Sequence, residues 1–128
     1  VVNKLYVRGD DSAIEFVLEN AGAVISTGVK AYIEIPFDCY IDEQTLGADQ
    51  AGDLVIDLWV DEYANYPPTV ADSITASAKP TLSSSDKDQD STLTGWTRQL
   101  KKGQWLGVKV DSAATVTLAT LSLKVRKT

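Results

Sequence analysis

Asp86, Asp88 and Asp90 stand two residues apart, the spacing of the first three ligands of an EF-hand loop, and hard carboxylate oxygens are what calcium takes. The rest of that loop is missing: Ser91 occupies the position that needs glycine and Thr97 the position that needs a bidentate glutamate. A solvated acidic loop is therefore the ordinary reading and a surface calcium site the minor one, and no metal is assigned. A second group combines Trp59, Asp61, Tyr63 and Tyr66, with Pro67-Pro68 stiffening the loop that carries the two tyrosines. Aromatic faces stack on sugars while a neighbouring carboxylate accepts hydroxyl hydrogen bonds, so these four are the candidates for a ligand site. Burial in a sheet layer or at a subunit interface would satisfy the same rings, and Trp96 and Trp105 are expected in the core or an interface.

Other chemistry is closed off by residue type. The chain has no histidine, which removes Ser-His-Asp and Cys-His catalysis and imidazole zinc ligation. Asp57 and Asp61, on one side of a strand, stand about 13 Å apart at 3.3 Å per residue, too far for either carboxylate geometry of glycoside hydrolysis. They are expected on a solvated outer face. Cys39 is the single cysteine, so no intrachain disulfide forms, and without a basic neighbour it reads as a small buried hydrophobe. Arg8-Gly9-Asp10 spells the integrin tripeptide, yet Arg8-Gly9-Asp10-Asp11 also makes an ordinary turn before a strand opening at Ser12. No catalytic residue and no cofactor are implied.

The elements that would position these residues are strands. Ile14, Phe16 and Leu18 alternate with polar neighbours; so do Ala31, Ile33, Ile35 and Phe37, opposite Lys30, Tyr32 and Glu34. A shorter segment runs from Cys39 to Leu46. Across Asp53–Asp61, Leu54, Ile56, Leu58 and Val60 point one way and Asp57, Trp59 and Asp61 the other, so a one-residue slip would expose four aliphatic side chains. Leu106, Val108 and Val110 form another apolar face, and the run Thr115–Val125 changes phase partway, as at a bulge or a passage between sheets. Loops are expected at Tyr63–Pro68 and Ala76–Asp90, and the one helical candidate is a short turn near 69–74. About eight short strands predict an all-β, antiparallel two-sheet sandwich of jelly-roll type, one domain over 1–128 with 1–11 as an N-terminal arm or edge segment.

Composition agrees. The 128 residues suit one core, and a net charge of −6 opposes the phosphate-neutralising surface that nucleic-acid binding needs. No apolar run approaches a membrane span, so no insertion is expected. With no methionine present, the chain is expected to be processed or excised from something longer.

Val29–Phe37, Leu46–Trp59 and Tyr63–Ile74, continuing through Lys79–Ser83, Thr92–Thr97 and Val110–Ala113, together resemble a module common in virion proteins of tailed bacteriophages. Arg98–Lys102 is more basic than that pattern and Trp105 replaces an aliphatic residue. The resemblance implies a β-sandwich domain on fibres, tail tips or capsid surfaces. It would be non-enzymatic, partnered with copies of itself as a trimer and with other virion proteins, and displayed on the virion surface in a capsid decoration, cement or fibre role. The alternative it implies is a receptor- or carbohydrate-binding head of a tail fibre that contacts a host surface glycan.

Overall fold

A computed structural model of the chain describes residues 10–128; Arg8 and Gly9 of the tripeptide, and most of the 1–11 arm, lie outside the described residues. Among the described residues there are seven antiparallel strands: β1 (Asp11–Glu19), β2 (Gly28–Glu34), β3 (Cys39–Asp61), β4 (Thr81–Asp90), β5 (Gln99–Leu100), β6 (Trp105–Ala114) and β7 (Leu118–Lys127). Their order is β1-β7-β3-β6-β2, with β4 and β5 on the other edge of β3. The all-β antiparallel class of jelly-roll type is as the sequence predicts, and its two halves are parts of one curled sheet. One strand belongs to both halves.

That strand is β3. Its first part, from Cys39 to Ala48, pairs with β7, while Asp53–Asp61 pairs with β6. Along its other edge β4 follows both parts, at Gln44–Gly47 and again at Gly52–Val55. The sheet therefore curls into two limbs, β1-β7-β3-β4 and β2-β6-β3-β4, whose buried side chains form one hydrophobic cluster. The two segments that read as separate strands are one because the chain bends without leaving the ladder. Gly52 permits the bend: a Cβ there would lie 2.6 Å from the Ala114 carbonyl oxygen and 2.8 Å from Val116 Cγ2.

Alternation fills the core as expected. Ile14, Phe16 and Leu18 of β1 lie opposite Leu123, Leu121 and Ala119 of β7, and Ile56, Leu58 and Val60 of β3 opposite Val110, Val108 and Leu106 of β6. Each fully buried Val, Leu, Ile or Phe among them contributes roughly 1.5–3 kcal/mol. A bulge between Ile41 and Glu43 moves the inward positions of β3 from odd (Cys39, Ile41) to even (Gln44, Leu46). The phase change near the C-terminus has another cause: Thr115–Thr117 is the connection between β6 and β7, with Val116 turned into the core and Leu118 exposed.

Two further expectations are corrected. Thr81–Asp90 is a strand, not loop; its polar side chains suit an edge strand, where charge discourages pairing with another molecule. The short turn expected near 69–74 is the 3-10 turn Val70–Asp72, closed by a capping box between Thr69 and Asp72, but a second 3-10 turn, Tyr63–Asn65, stands in the stretch expected as loop.

Candidate functional site

The outward side chains at the end of β3 lie beside the segment that comes after them in the chain. Beyond the turn at Val70–Asp72 this segment runs along the edge of β3: the Ile74 N–H donates to the Leu58 carbonyl at 2.9 Å and the Ile56 N–H to the Pro80 carbonyl at 3.0 Å. Asp57 ties the two together. Although on the polar side of its strand, it is only 2% exposed, which corrects the expectation of a solvated acid. Its Oδ1 accepts from the Leu58 N–H (2.9 Å), the Ser73 hydroxyl (2.7 Å) and the Thr75 hydroxyl (2.7 Å), and its Oδ2 from the Trp59 indole N–H (2.9 Å).

Burial pushes the Asp57 carboxyl up, but the hydrogen bonds from Ser73, Thr75 and Trp59, with Lys79 at 3.9 Å, more than offset it, and the group ionises below the usual range. Lys79 also reaches Asp111 at 2.7 Å, and Lys109 reaches the other oxygen of Asp111 at 2.9 Å. This network fastens the segment to the sheet. Each acid in it is already matched by donors, the arrangement of a structural carboxylate rather than of one held ready for proton transfer.

Trp59 is part of that fastening. It is 7% exposed and its indole N–H is spent on Asp57, so it presents no face for stacking. Asp61 is partly exposed and accepts from the Glu62 N–H and the Asn65 amide, which lower its pKa in that order. Tyr63, at 73% exposure, stands outward on the first 3-10 turn. Tyr66 is half-exposed and is brought against two rings that sequence reasoning did not group with it. Its centroid is 5.4 Å from Tyr32 and 5.0 Å from Trp105, both edge-to-face. Tyr32 pairs across the ladder with Gly107, which leaves room for Tyr32 and Pro68 over it. The signal was present in the alternation of β2, which places Tyr32 on the polar side with Lys30 and Glu34. What the sequence could not give was the register bringing it beside residue 105.

The three aspartates of the calcium candidate lie on extended β4, where Asp88 and Asp90 are each used singly. Asp88 accepts from the buried Gln44 amide at 2.8 Å, and Asp90 accepts the Thr92 and Leu93 N–H groups of the turn after it. Among the described residues no group of three or more Cys, Asp or Glu side chains is arranged to hold a metal ion. Cys39 is buried in the core, and burial, then Asp38, pushes its thiol pKa up. Arg98 and Arg126 each stack on the Tyr40 ring at 4.9 Å, and Arg126 pairs with Asp42 at 2.9 Å, so part of the basic stretch is spent within the fold.

A curled, seven-stranded antiparallel domain with an aromatic group at one corner is thus the class of protein defined here. No protein-family model and no curated protein matches the chain. Among solved structures, a chain from the capsid of Ralstonia phage GP4 aligns over 100% of this chain and 91% of its own length, with a TM-score of 0.51 and 14% identity. At that identity the likeness is one of fold. The Tobacco streak virus coat protein also aligns, over 96% of this chain and 90% of its own, but its TM-score of 0.33 at 11% identity is too low to carry an argument.

Proposed function

We propose that the chain is a non-enzymatic structural protein of a tailed-phage virion, carried on the particle surface as a homo-oligomer in a capsid decoration or cement role. The observation that carries this reading is the end-to-end likeness in fold to a capsid chain of Ralstonia phage GP4. The resemblance of Val29–Phe37, Leu46–Trp59 and Tyr63–Ile74 to phage virion modules supports it independently, and the one buried acid, Asp57, is bound into a structural network that asks for no chemistry. A trimer is the assembly put forward, with other virion proteins as neighbours. Electron microscopy of particles bearing this chain, with light scattering of the free protein, tests both points. Density on the head lattice and a trimeric mass are expected; density confined to the tail overturns the decoration role.

One observation favours a second reading. Tyr63 and Tyr66 are exposed on the segment that follows Asp61, a grouping that suits a sugar ring, as in the head of a tail fibre bound to a host surface glycan. A glycan array decides: binding that disappears in Tyr63→Ala and Tyr66→Ala supports it, and an array without a hit rejects it.

A further inference from the structure

Gln44 occupies an inward position of β3 and is 2% exposed. Its Nε2 donates to Asp88 Oδ2 at 2.8 Å, whereas its Oε1, also shut off from solvent, receives no hydrogen bond. Turning the amide over does not help, because two acceptors would then face each other at Asp88. A buried acceptor without a donor costs about 1–3 kcal/mol and asks for a group that the fold itself does not supply.

The neighbouring side chains say what kind of group that is. In the ladder Gln44 lies opposite Asp90, and Leu46, two residues on, lies opposite Asp88. Both aspartates are therefore on the inward side of β4, half-buried, while Lys87 and Gln89 between and beside them are exposed. Oε1 and Nε2 hang on one carbon, which keeps Oε1 within about 5 Å of Asp88 Oδ2. Oxygens bound to one calcium ion at about 2.3–2.6 Å stand up to about 5 Å apart, so amide and carboxylate can share one ion. Asp90 holds the turn after it through Oδ1 alone, accepting from the Thr92 and Leu93 N–H groups, and its Oδ2 accepts from none of the described residues. Among the described residues no lysine or arginine forms an ion pair with Asp88 or Asp90. A water molecule would donate to Oε1 but leave both carboxylate charges uncompensated, whereas a hard cation meets all three oxygens. Carboxylates with an amide carbonyl are calcium's donor set, and the partial exposure of both aspartates gives the ion a way in from the edge of the sheet.

We propose that Gln44 Oε1, the Asp88 carboxylate and Asp90 Oδ2 bind one calcium ion, with water completing its shell. Asp86, the remaining aspartate of the spaced set, is exposed and takes no part. The inference is independent of the virion reading. Thermal melts of the unaltered full chain in EDTA and in calcium chloride test it. Three protein ligands place the affinity among weak calcium sites, with Kd about 10⁻⁴–10⁻³ M, so about 10 mM calcium should raise Tm by about 5–10 °C. Calorimetric titration should count one ion per chain. Gln44→Leu replaces the amide with an apolar group of similar size, and Asp90→Asn keeps the oxygen that holds the turn. Each should fold and lose about tenfold or more in calcium affinity, while Asp86→Asn should change it less than about twofold. A natural protein whose Tm does not respond to calcium overturns the proposal and assigns Oε1 to a buried water. So does a shift undiminished in Gln44→Leu and in Asp90→Asn, which would mark general screening of an acidic chain.

Discussion

Replacing Asp57 probes the tie between the sheet and the segment from Ser73 to Lys79. Its carboxylate accepts four hydrogen bonds, from Leu58, Trp59, Ser73 and Thr75, while 2% exposed. Asparagine keeps one carbonyl oxygen for Leu58, Ser73 and Thr75 but turns an N–H₂ toward the Trp59 indole N–H, so two donors meet, and the remaining bonds lose their charge assistance. With a hydrogen bond to a charged group contributing about 1.5–3 kcal/mol and charged bonds about twice as strong as neutral ones, the cost of Asp57→Asn is about 2–3 kcal/mol. Asp57→Ala strips every donor of its partner and leaves Lys79 facing a cavity, for about 3–5 kcal/mol. At about 2.1 cal/mol/K per residue, a domain of this length loses about 4 °C of Tm per kcal/mol, so about 10 °C and about 15 °C are expected by calorimetry. The pH dependence has a definite sign. A carboxyl whose pKa is lowered by folding contributes stability that is complete above its unfolded pKa of about 3.9 and is lost as pH falls through the folded value. The gap between the natural protein and Asp57→Asn should thus be full at pH 7 and narrow below about pH 4. A Tm for Asp57→Ala within about 3 °C of the natural protein at pH 7 would refute the assignment.

Gly52→Ala should cost about 1–3 kcal/mol, because its Cβ would meet the Ala114 carbonyl oxygen at 2.6 Å and backbone would have to move; unchanged denaturant midpoints would show that the bend has slack. Cys39 should react with a thiol reagent at pH 8 only as fast as the chain opens, since it is buried and its thiol pKa is raised; labelling at the rate of a free thiol contradicts its placement. Tyr66→Ala should cost about 1–2 kcal/mol through its two ring contacts, and Tyr63→Ala less than about 0.5 kcal/mol, as thermal melts of the pair would report.

Period-two alternation carried much of the fold. It located β1, the second half of β3 and β6, because one buried face imposes hydrophobic residues at every other position, and four aliphatic residues on Leu54–Val60 leave no second register. It missed β4, whose burial is nearly confined to Leu82: an edge strand with serines and aspartates has the composition of a loop, and only its partner shows that it is paired. It also split β3, since Gly47 to Gly52 offers only Ala48 to the core and the strand bends there. Asp57 was misplaced for a related reason. Alternation assigns a face of the sheet correctly but says nothing about what chain later lies against that face, and here Ser73 and Thr75 arrive from sixteen and eighteen residues away. The aromatic corner was half legible: Tyr63 and Tyr66 stood out beside Pro67-Pro68, whereas Tyr32 and Trp105 join Tyr66 through tertiary register alone.

The sharing of β3 and β4 between the limbs has a mechanical consequence. In a sandwich of two separate sheets, the layers are held by side-chain packing, and either can slide on the other at the cost of apolar contact alone. Here the limbs are joined by an unbroken strand and by the β4 pairing on both sides of the bend, at Gln44–Gly47 and at Gly52–Val55. Asp49 braces the bend by accepting the Thr117 and Leu118 N–H groups and the Thr117 hydroxyl, linking it to the β6–β7 connection. Parting the limbs therefore breaks main-chain hydrogen bonds as well as exposing the core, so the two should open together rather than one after the other.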